Sequence, residues 1–245
     1  GAKCAFIGQV ADDQLGEVFA HDIRAGGIAF DTAARESDPP TARCLIFVTP
    51  DGQRTMNTFL GASQFLPATA LDDATIAAAS ILYLEGYLWD PEEPRAAMRE
   101  AIAIARGAGR KVAFTLSDNF VIDRHGDDFR ALLAEGKIDI LFANDGEIRT
   151  LMGNDDLEAA VAAAAPLVET LVVTRSEEGA LAISGGERAD VPAEPVDKVV
   201  DTTGAGDLFA AGFLTGRAEG RSLADCLTMG AICAAEIISH YGPRP

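Results

Sequence analysis

Residues 201–207 read Asp-Thr-Thr-Gly-Ala-Gly-Asp, and the apolar run Leu-Phe-Ala-Ala-Gly-Phe-Leu follows directly at residues 208–214. Two glycines separated by one alanine leave backbone N–H groups unshielded, so the stretch predicts a glycine loop that opens a helix. Because a helix N-terminus carries a partial positive charge, this loop is a candidate anion site. Asp207 either serves chemistry on that anion or simply caps the helix, since Asp is a favoured residue at helix starts. The stretch alone leaves both interpretations open.

Two other glycine motifs do not fit the chain. A dinucleotide-binding fingerprint needs a third glycine three residues after Gly206, and Phe209 stands there. A phosphate-binding loop of the form Gly-x-x-x-x-Gly-Lys-Ser/Thr does not occur. An oxidoreductase that binds NAD is therefore disfavoured.

Composition and charge narrow the class of partner. Of the 245 residues, 48% are apolar, and no apolar run approaches the roughly 20 residues of a membrane-spanning helix. No secretory signal is visible, so we expect a cytoplasmic protein. Acidic residues outnumber basic ones by 38 to 20, for a formal net charge of -18, which repels nucleic acid and anionic membranes. These features predict a small-molecule partner, with neither nucleic acid nor membrane bound.

Strand-like and helical stretches alternate along the chain. Short runs rich in branched or aromatic residues predict strands at residues 4–7, 44–48, 81–84, 112–116, 138–143 and 171–174. Amphipathic spacing predicts helices at residues 12–25, 92–108, 127–135, 157–167 and 222–238, beside the helix that begins near residue 207. This order predicts an α/β fold with a mostly parallel, buried sheet.

The segment 43–60 departs from the alternation of strands and helices. Asp51-Gly52 separates two strand-like runs, which predicts a hairpin. Alternation along the second run places Arg54, Met56 and Thr58 on one face. That face lines a pocket, or the segment is a plain edge hairpin.

The 201–207 loop resembles the C-terminal signature D-T-x-G-A-G-D of the PfkB, or ribokinase-like, carbohydrate kinases. The resemblance extends over almost the whole chain. It implies one three-layer α/β/α ribokinase-like domain over residues 1–245, with residues 43–60 as a small, incomplete β lid. It also implies an ATP-dependent kinase that phosphorylates a hydroxymethyl group of an adenosine-like nucleoside or a sugar. Asp207 would be the general base, and the amides of Gly204, Ala205 and Gly206 would stabilise the transferred phosphoryl group.

A second motif, Asn144-Asp145-Gly146-Glu147, resembles the family's N-x-x-E segment. The match implies that Glu147 organises Mg²⁺ through its water shell and that Asn144 lies near the nucleotide phosphates. An ordinary capping box, with Asn144 as N-cap, is the alternative.

Residues 172–179 are similar to the family's V-T-x-G-x-x-G nucleotide segment, with Thr174 and Gly179 at matching positions. Ser176 stands where glycine is usual. Arg175 either reaches a phosphate or is a solvated loop charge. The resemblance further implies that Asp201 and Thr203 contribute to a monovalent cation site, with K⁺ as the candidate ion and Thr203 beside the nucleotide.

The acceptor side is less defined. The run Leu116-Ser117-Asp118-Asn119-Phe120 is similar to the L-S-x-x-F segment of adenosine kinases, which implies that Phe120 stacks on a purine; core packing is the alternative. By the same resemblance Arg54 contacts phosphate and Met56 lines the acceptor site. Glu85 stands where a small residue is expected in adenosine kinases. A carboxylate there would bind a ribose hydroxyl or another base, so the acceptor stays open.

Family members normally carry a further N-terminal segment with a Gly-Gly motif followed by Asn. Here Gly26-Gly27 precedes Ile28, so the motif is not matched, and we expect an N-terminally incomplete chain. Two alternatives to a nucleoside kinase follow: a catalytically silent nucleotide-binding module, and a sugar kinase with a non-nucleoside acceptor. A homodimer formed through the lid is a further expectation.

Overall fold

The computed structural model describes residues 2–36 and 38–244. Within them, the strands are β1 (Arg43–Val48), β2 (Arg54–Phe59), β3 (Ile81–Glu85), β4 (Lys111–Thr115), β5 (Ile140–Asn144), β6 (Thr170–Thr174), β7 (Ala180–Ser184) and β8 (Glu187–Val191). The α-helices are α1 (Gln14–Ala25), α2 (Asp73–Ala78), α3 (Glu92–Gly107), α4 (Asn119–Ala134), α5 (Asp145–Met152), α6 (Leu157–Ala164), α7 (Ala205–Ala218) and α8 (Leu223–Ile237).

The chain divides into two compact units. The first takes in the residues up to 45 together with 56–112, and the second takes in residues 46–55 together with those from 113 onward. The tip of the β1–β2 hairpin therefore belongs to the second unit. A single domain over the whole chain stays a prediction.

The first unit is organised around α3, which buries one face. Its buried residues recur at helical spacing, as expected for an amphipathic helix on a core: Pro94, Ala97, Met98, Ala101, Ile102 and Ala105. The strand expected at residues 4–7 is wrong in extent, because the structure has only an isolated parallel bridge between Ala5 and Ala29. Short apolar runs do not by themselves supply a ladder partner.

The second unit contains a mixed sheet with the strand order β4-β5-β6-β7-β8. Strands β4, β5 and β6 are parallel, and β6, β7 and β8 pair antiparallel. Strands β7 and β8 are joined by Gly185 and Gly186, both with positive φ, which fits a type I′ hairpin turn. This antiparallel edge was not predicted from the sequence. The parallel core and the flanking helices agree with the α/β/α prediction.

Helices α7 and α8 pack closely through glycines. A Cβ on Gly212 would lie 2.6 Å from the Met229 carbonyl oxygen, and one on Gly230 would lie 2.8 Å from the Phe209 carbonyl oxygen. The small residues therefore let the two helix backbones approach, which fixes α7 and the loop that precedes it.

Candidate active site

The glycine loop opens α7 as predicted. Gly204 is the N-cap residue and has φ of 84°, a left-handed conformation that glycine adopts without a steric penalty. Among the described residues, no side chain caps this helix start. A Cβ on Gly206 would find no heavy atom within 4 Å, so open space adjoins the first turn. The loop thus presents unshielded amide groups at the positive end of a helix, which suits an anion.

The buried side chain of Asp201 holds this loop in shape. Its Oδ1 accepts hydrogen bonds from the backbone N–H of Thr203 at 2.9 Å and from its hydroxyl at 2.6 Å. Its Oδ2 accepts from the N–H of Gly242 at 3.0 Å. Burial acts to raise the pKa of Asp201, but these hydrogen bonds and the charge of Arg54 hold that pKa below its ordinary value. Asp201 is therefore an ionised structural anchor.

Asp207 lies in the first turn of α7 and is exposed to solvent. In the described part of the chain its carboxylate accepts no hydrogen bond from the helix start, which disfavours the helix-cap interpretation. Protein around the carboxylate removes part of its hydration, and this desolvation raises the pKa of Asp207, while the charge of Arg54 acts to lower it. The carboxylate is left accessible and available as a proton acceptor.

The hairpin tip brings a cation to the same loop. The Nη1 of Arg54 donates a hydrogen bond of 2.6 Å to the hydroxyl of Thr202. Arg54 is a predicted site residue, whereas Thr202 is not, because its hydroxyl gains this partner through a contact between residues 148 positions apart.

The Asn144–Glu147 pair forms a capping box, as one of the two interpretations predicts. Asn144 Oδ1 accepts from the Glu147 N–H at 2.8 Å, and Glu147 Oε2 accepts from the Asn144 N–H at 2.9 Å. The Asn144 amide also donates to Glu147 Oε1 at 2.8 Å. The pKa of Glu147 is raised to about 7, mainly by desolvation of this side chain, which is only 5% exposed. The hydrogen bond from the Asn144 N–H acts to lower that pKa, and the charges of Asp118 and Asp145 also act to raise it.

The raised pKa of Glu147 predicts a dependence of stability on pH. In the unfolded chain this carboxyl ionises near its ordinary value, so between about pH 4.5 and 7 the folded protein holds an extra proton at Glu147. The contribution of Glu147 to the free energy of unfolding therefore falls as pH rises. In the absence of Mg²⁺, Glu147→Gln should remove up to about 3 kcal/mol of this fall in the free energy of unfolding. Urea titrations across this range check it. Glu135→Gln, at an exposed carboxyl, should keep the wild-type profile, and an equal fall in both variants would contradict the prediction.

The second nucleotide motif follows β6, directly beside Asn144. Thr174 is the register partner of Asn144 across the parallel pair β5–β6, so both stand at the carboxyl edge of the sheet. Gly179 closes the loop with φ of 89°, and a Cβ there would lie 2.0 Å from the Val191 carbonyl oxygen. Ser176 has φ of 52°, one of two non-glycine residues with positive φ in the described chain. The backbone therefore takes a conformation favoured by glycine at the position where the kinase motif has one.

Replacing Ser176 with glycine should stabilise the protein. Ser176→Gly removes the energetic cost of the left-handed backbone. Because this cost exceeds the entropic cost that glycine adds on folding, we expect the free energy of unfolding to rise by about 0.5 kcal/mol. Denaturant melts measure it. Ser80→Gly, at an exposed serine without positive φ, should lower stability instead, and a gain at both positions would show that Ser176 is not strained.

Arg175 does not stand as an isolated loop charge. Its guanidinium Nη2 lies 3.3 Å from Asp190 Oδ1. Asp190 also pairs with Arg188, which contacts Glu158 at 2.6 and 3.0 Å. This network of ion pairs connects the loop after β6 to β8 and to α6.

Phe120 is the second residue of α4, the helix that follows β4, and it is 43% exposed, so core packing is excluded for it. The Arg124 guanidinium lies 5.2 Å from the centre of its ring. Before it, Ser117 has φ of 69° and the Asp118 N–H donates to the Leu116 carbonyl at 2.9 Å, a tight and strained turn. This turn was not predicted, because serine carries no signal for positive φ.

The family model of the pfkB carbohydrate kinases matches residues 1–245. The chain belongs to this family. PfkB proteins are kinases, that is, phosphotransferases that act on alcohol groups. The family predicted from the 201–207 loop and the expected enzyme class are therefore confirmed.

Relatives of this PfkB kinase carry both nucleoside and sugar names. The crystal structure of a probable sugar kinase from Rhizobium etli is 47% identical, with a TM-score of 0.98 over 100% of this chain and 74% of its own. An adenosine kinase from Sinorhizobium meliloti is also 47% identical, with a TM-score of 0.97 over 100% of this chain and 75% of its own. An uncharacterized sugar kinase from Archaeoglobus fulgidus is 27% identical over 100% of this chain and 94% of its own. The ribokinase-like fold prediction is confirmed, and a sugar or nucleoside acceptor is supported without a choice between them.

Two predicted acceptor residues of the PfkB chain lie in its first unit. Met56 is 48% exposed on β2, and Glu85 is half-buried at the end of β3. Their roles stay predictions.

Two features are absent from the described residues, a cluster of metal-ligating side chains and a membrane-spanning helix. Residues 2–36 and 38–244 contain no group of three or more His, Cys, Asp or Glu arranged to hold a metal ion. No helix among them has the length and apolarity to cross a membrane.

Proposed function

We propose that this PfkB protein is an ATP-dependent kinase that transfers the γ-phosphoryl group to a hydroxymethyl group of an adenosine-like nucleoside or a sugar. The observation that carries the proposal is the first turn of α7, where uncapped amides and the accessible carboxylate of Asp207 stand three residues from the left-handed Gly204. Phosphoryl transfer depends mainly on positioning and charge stabilisation, and one helical turn supplies both a base and anion-binding donors.

Asp207 acts as the general base on the acceptor hydroxyl. Desolvation raises its pKa, and a base is more effective when its pKa lies nearer to the working pH. The amides of Gly204, Ala205 and Gly206 stabilise negative charge on the transferred group, which the open space beside Gly206 leaves room to approach. Arg54, bonded to Thr202, adds a cation to an otherwise acidic protein.

The described residues suit Mg²⁺ through its bound water molecules and not through a set of direct carboxylate ligands. Both oxygens of Glu147 already accept hydrogen bonds from Asn144, and the described residues hold no cluster of carboxylates that could cage an ion. Mg²⁺ keeps several waters in proteins, and the neighbouring charges of Asp118 and Asp145 give those waters further acceptors. When bound with ATP, the ion neutralises phosphate charge. Glu147 would orient its waters.

The nucleotide lies along the sheet edge formed by Asn144 and Thr174, with the Arg175–Gly179 loop as its wall. The approach of Gly179 to Val191 keeps that wall close to the strand, and Ser176 adopts the backbone that the motif's glycine would. A monovalent cation such as K⁺, near Asp201 and Thr203, is part of the proposal. Because Asp201 is ionised and buried, it favours a cation nearby.

Phe120 supports a purine acceptor, because its ring is accessible and suits stacking. The acceptor roles predicted for Met56 and for Glu85, which would bind a ribose hydroxyl or another base, are part of the proposal. The homodimer through the lid rests on exposed apolar residues of β1: Leu45 and Phe47 are each 61% exposed.

An acceptor panel tests the proposal. The protein is assayed with ATP, Mg²⁺ and K⁺ against adenosine, guanosine, inosine, ribose and fructose, and product phosphate esters are measured. Preference for a nucleoside supports the purine role of Phe120, and preference for a free sugar supports the sugar-kinase alternative. ATP binding without transfer to any acceptor would favour the silent nucleotide-binding module and overturn the kinase proposal.

A further inference from the structure

The turn of the β1–β2 hairpin is seated against the segment that leads into the anion loop. A Cβ on Gly52 would lie 3.0 Å from Val199 Cγ1 and 3.2 Å from its carbonyl oxygen. Gly52 also has φ of 78°, so glycine satisfies both the turn and the close approach. The hairpin tip, residues 46–55, is thus held within the same compact unit as the loop.

One side-chain bond joins the two segments next to this contact. Arg54 Nη1 donates to Thr202 Oγ1 at 2.6 Å, and in the described part of the chain this is the hydrogen bond that the Arg54 guanidinium makes. A guanidinium carries five N–H donors in a planar fork, so one bond fixes its direction and leaves donors for an anion.

The charge of Arg54 reaches both acidic residues of the loop. It acts to lower the pKa of Asp201 and that of Asp207. In a protein with a net charge of -18, a cation fixed beside the transferring phosphoryl group has to counter an unfavourable field. We therefore expect the rate of transfer to depend on where the Arg54 guanidinium is held.

We propose that Thr202 is a positioning residue: its hydroxyl fixes the Arg54 guanidinium beside the anion loop, ready for the phosphoryl group in transfer. The inference rests on the proposed function and goes beyond it, since Thr202 itself touches no reacting atom. A free arginine on an exposed hairpin would sample many rotamers, and the hydroxyl removes that freedom before the substrate binds. The benefit is expected in the transition state, where charge moves onto the transferred group.

The test compares Thr202→Val, which removes the hydroxyl with little change of shape, with Thr202→Ser, which keeps it. Thr202→Val should lower kcat about fivefold, the effect of one lost bond to a charged group at an exposed site. The KM for the acceptor and the affinity for ATP should stay within about twofold, because the loop amides are intact. Thr202→Ser should restore kcat, and Thr55→Val, the same change on the hairpin next to Arg54, should have no effect.

A second arm asks whether Thr202 acts through Arg54. In an Arg54→Met background, Thr202→Val should add nothing to the loss of kcat, since the bond is already gone. Additive losses, an unchanged kcat in Thr202→Val, or failure of serine to restore it would each overturn the proposal.

Hydrogen exchange provides a readout that needs no turnover. The amides of Gly52 and Gln53 should exchange faster in Thr202→Val than in Thr55→Val if the bond holds the hairpin to the loop. Equal exchange would overturn the fixing of Arg54, whereas an inactive wild type with faster exchange in Thr202→Val would overturn the kinase function and leave the contact supported.

Discussion

Asp207→Asn should lower the rate of phosphoryl transfer by a factor of about 10² to 10⁴, the usual contribution of a positioned general base. The amide keeps the size of the side chain but cannot accept the hydroxyl proton. The affinity for ATP should change by less than about threefold, since the change also removes a negative charge but leaves the loop amides in place. Initial rates with the preferred acceptor and calorimetric titration with ATP measure the two quantities.

The chain offers a matched control for this substitution. Asp225 occupies the third position of α8, as Asp207 does in α7, but it pairs with the N-cap residue Ser222. Asp225→Asn should keep full activity. A kcat near wild type in Asp207→Asn would remove it as the base and leave Asp207 an electrostatic feature of the helix start.

Gly179→Ala should produce the largest loss of stability at the nucleotide edge. The new Cβ would lie 2.0 Å from the Val191 carbonyl oxygen and 2.6 Å from the Pro192 carbonyl carbon, and both are backbone atoms that cannot rotate away. With φ of 89° and ψ of -139°, the residue also lies in a region that is essentially restricted to glycine. We expect the free energy of unfolding to fall by about 4 kcal/mol, measured by urea titration.

Gly107→Ala is the control for Gly179. Gly107 ends α3, has no neighbouring atom within 4 Å of an added Cβ and lacks a positive φ. Alanine there should leave stability equal or slightly higher, because alanine favours helix over glycine. A small effect at Gly179, similar to that at Gly107, would mean that β8 can yield and that the loop wall is not rigid.

The anion loop could be predicted from sequence because its requirements are local. Gly204 adopts a left-handed backbone, and Asp207 follows it by three residues. The spacing of these residues is therefore enough to predict that Asp207 lies in the first turn of the helix. The capping box at Asn144 is one of the two interpretations that the local spacing allows, for the same reason. The raised pKa of Glu147 could not be predicted, since it comes mainly from burial, which the motif does not encode.

The features that escaped prediction depend on tertiary contacts. Apolar residues 4–7 looked like a strand, but only Ala5 gains a bridge partner. Strands β7 and β8 were not predicted, although the Gly185-Gly186 turn between them has the positive φ angles of a tight hairpin. The bond from Arg54 to Thr202 depends on how the hairpin tip packs, which no local pattern contains.

Asp201 also joins the anion loop to the end of the described chain. The Gly242 N–H donates to its carboxylate, and the Ile238 carbonyl accepts from the Val200 N–H at 2.8 Å. Residues 238–242 therefore set the shape of a loop that they do not enter. In a deep mutational scan of catalysis, inactivating substitutions at residues 238–242 would act indirectly, through the conformation of the loop. Such substitutions should not be taken as evidence that these residues contact a ligand.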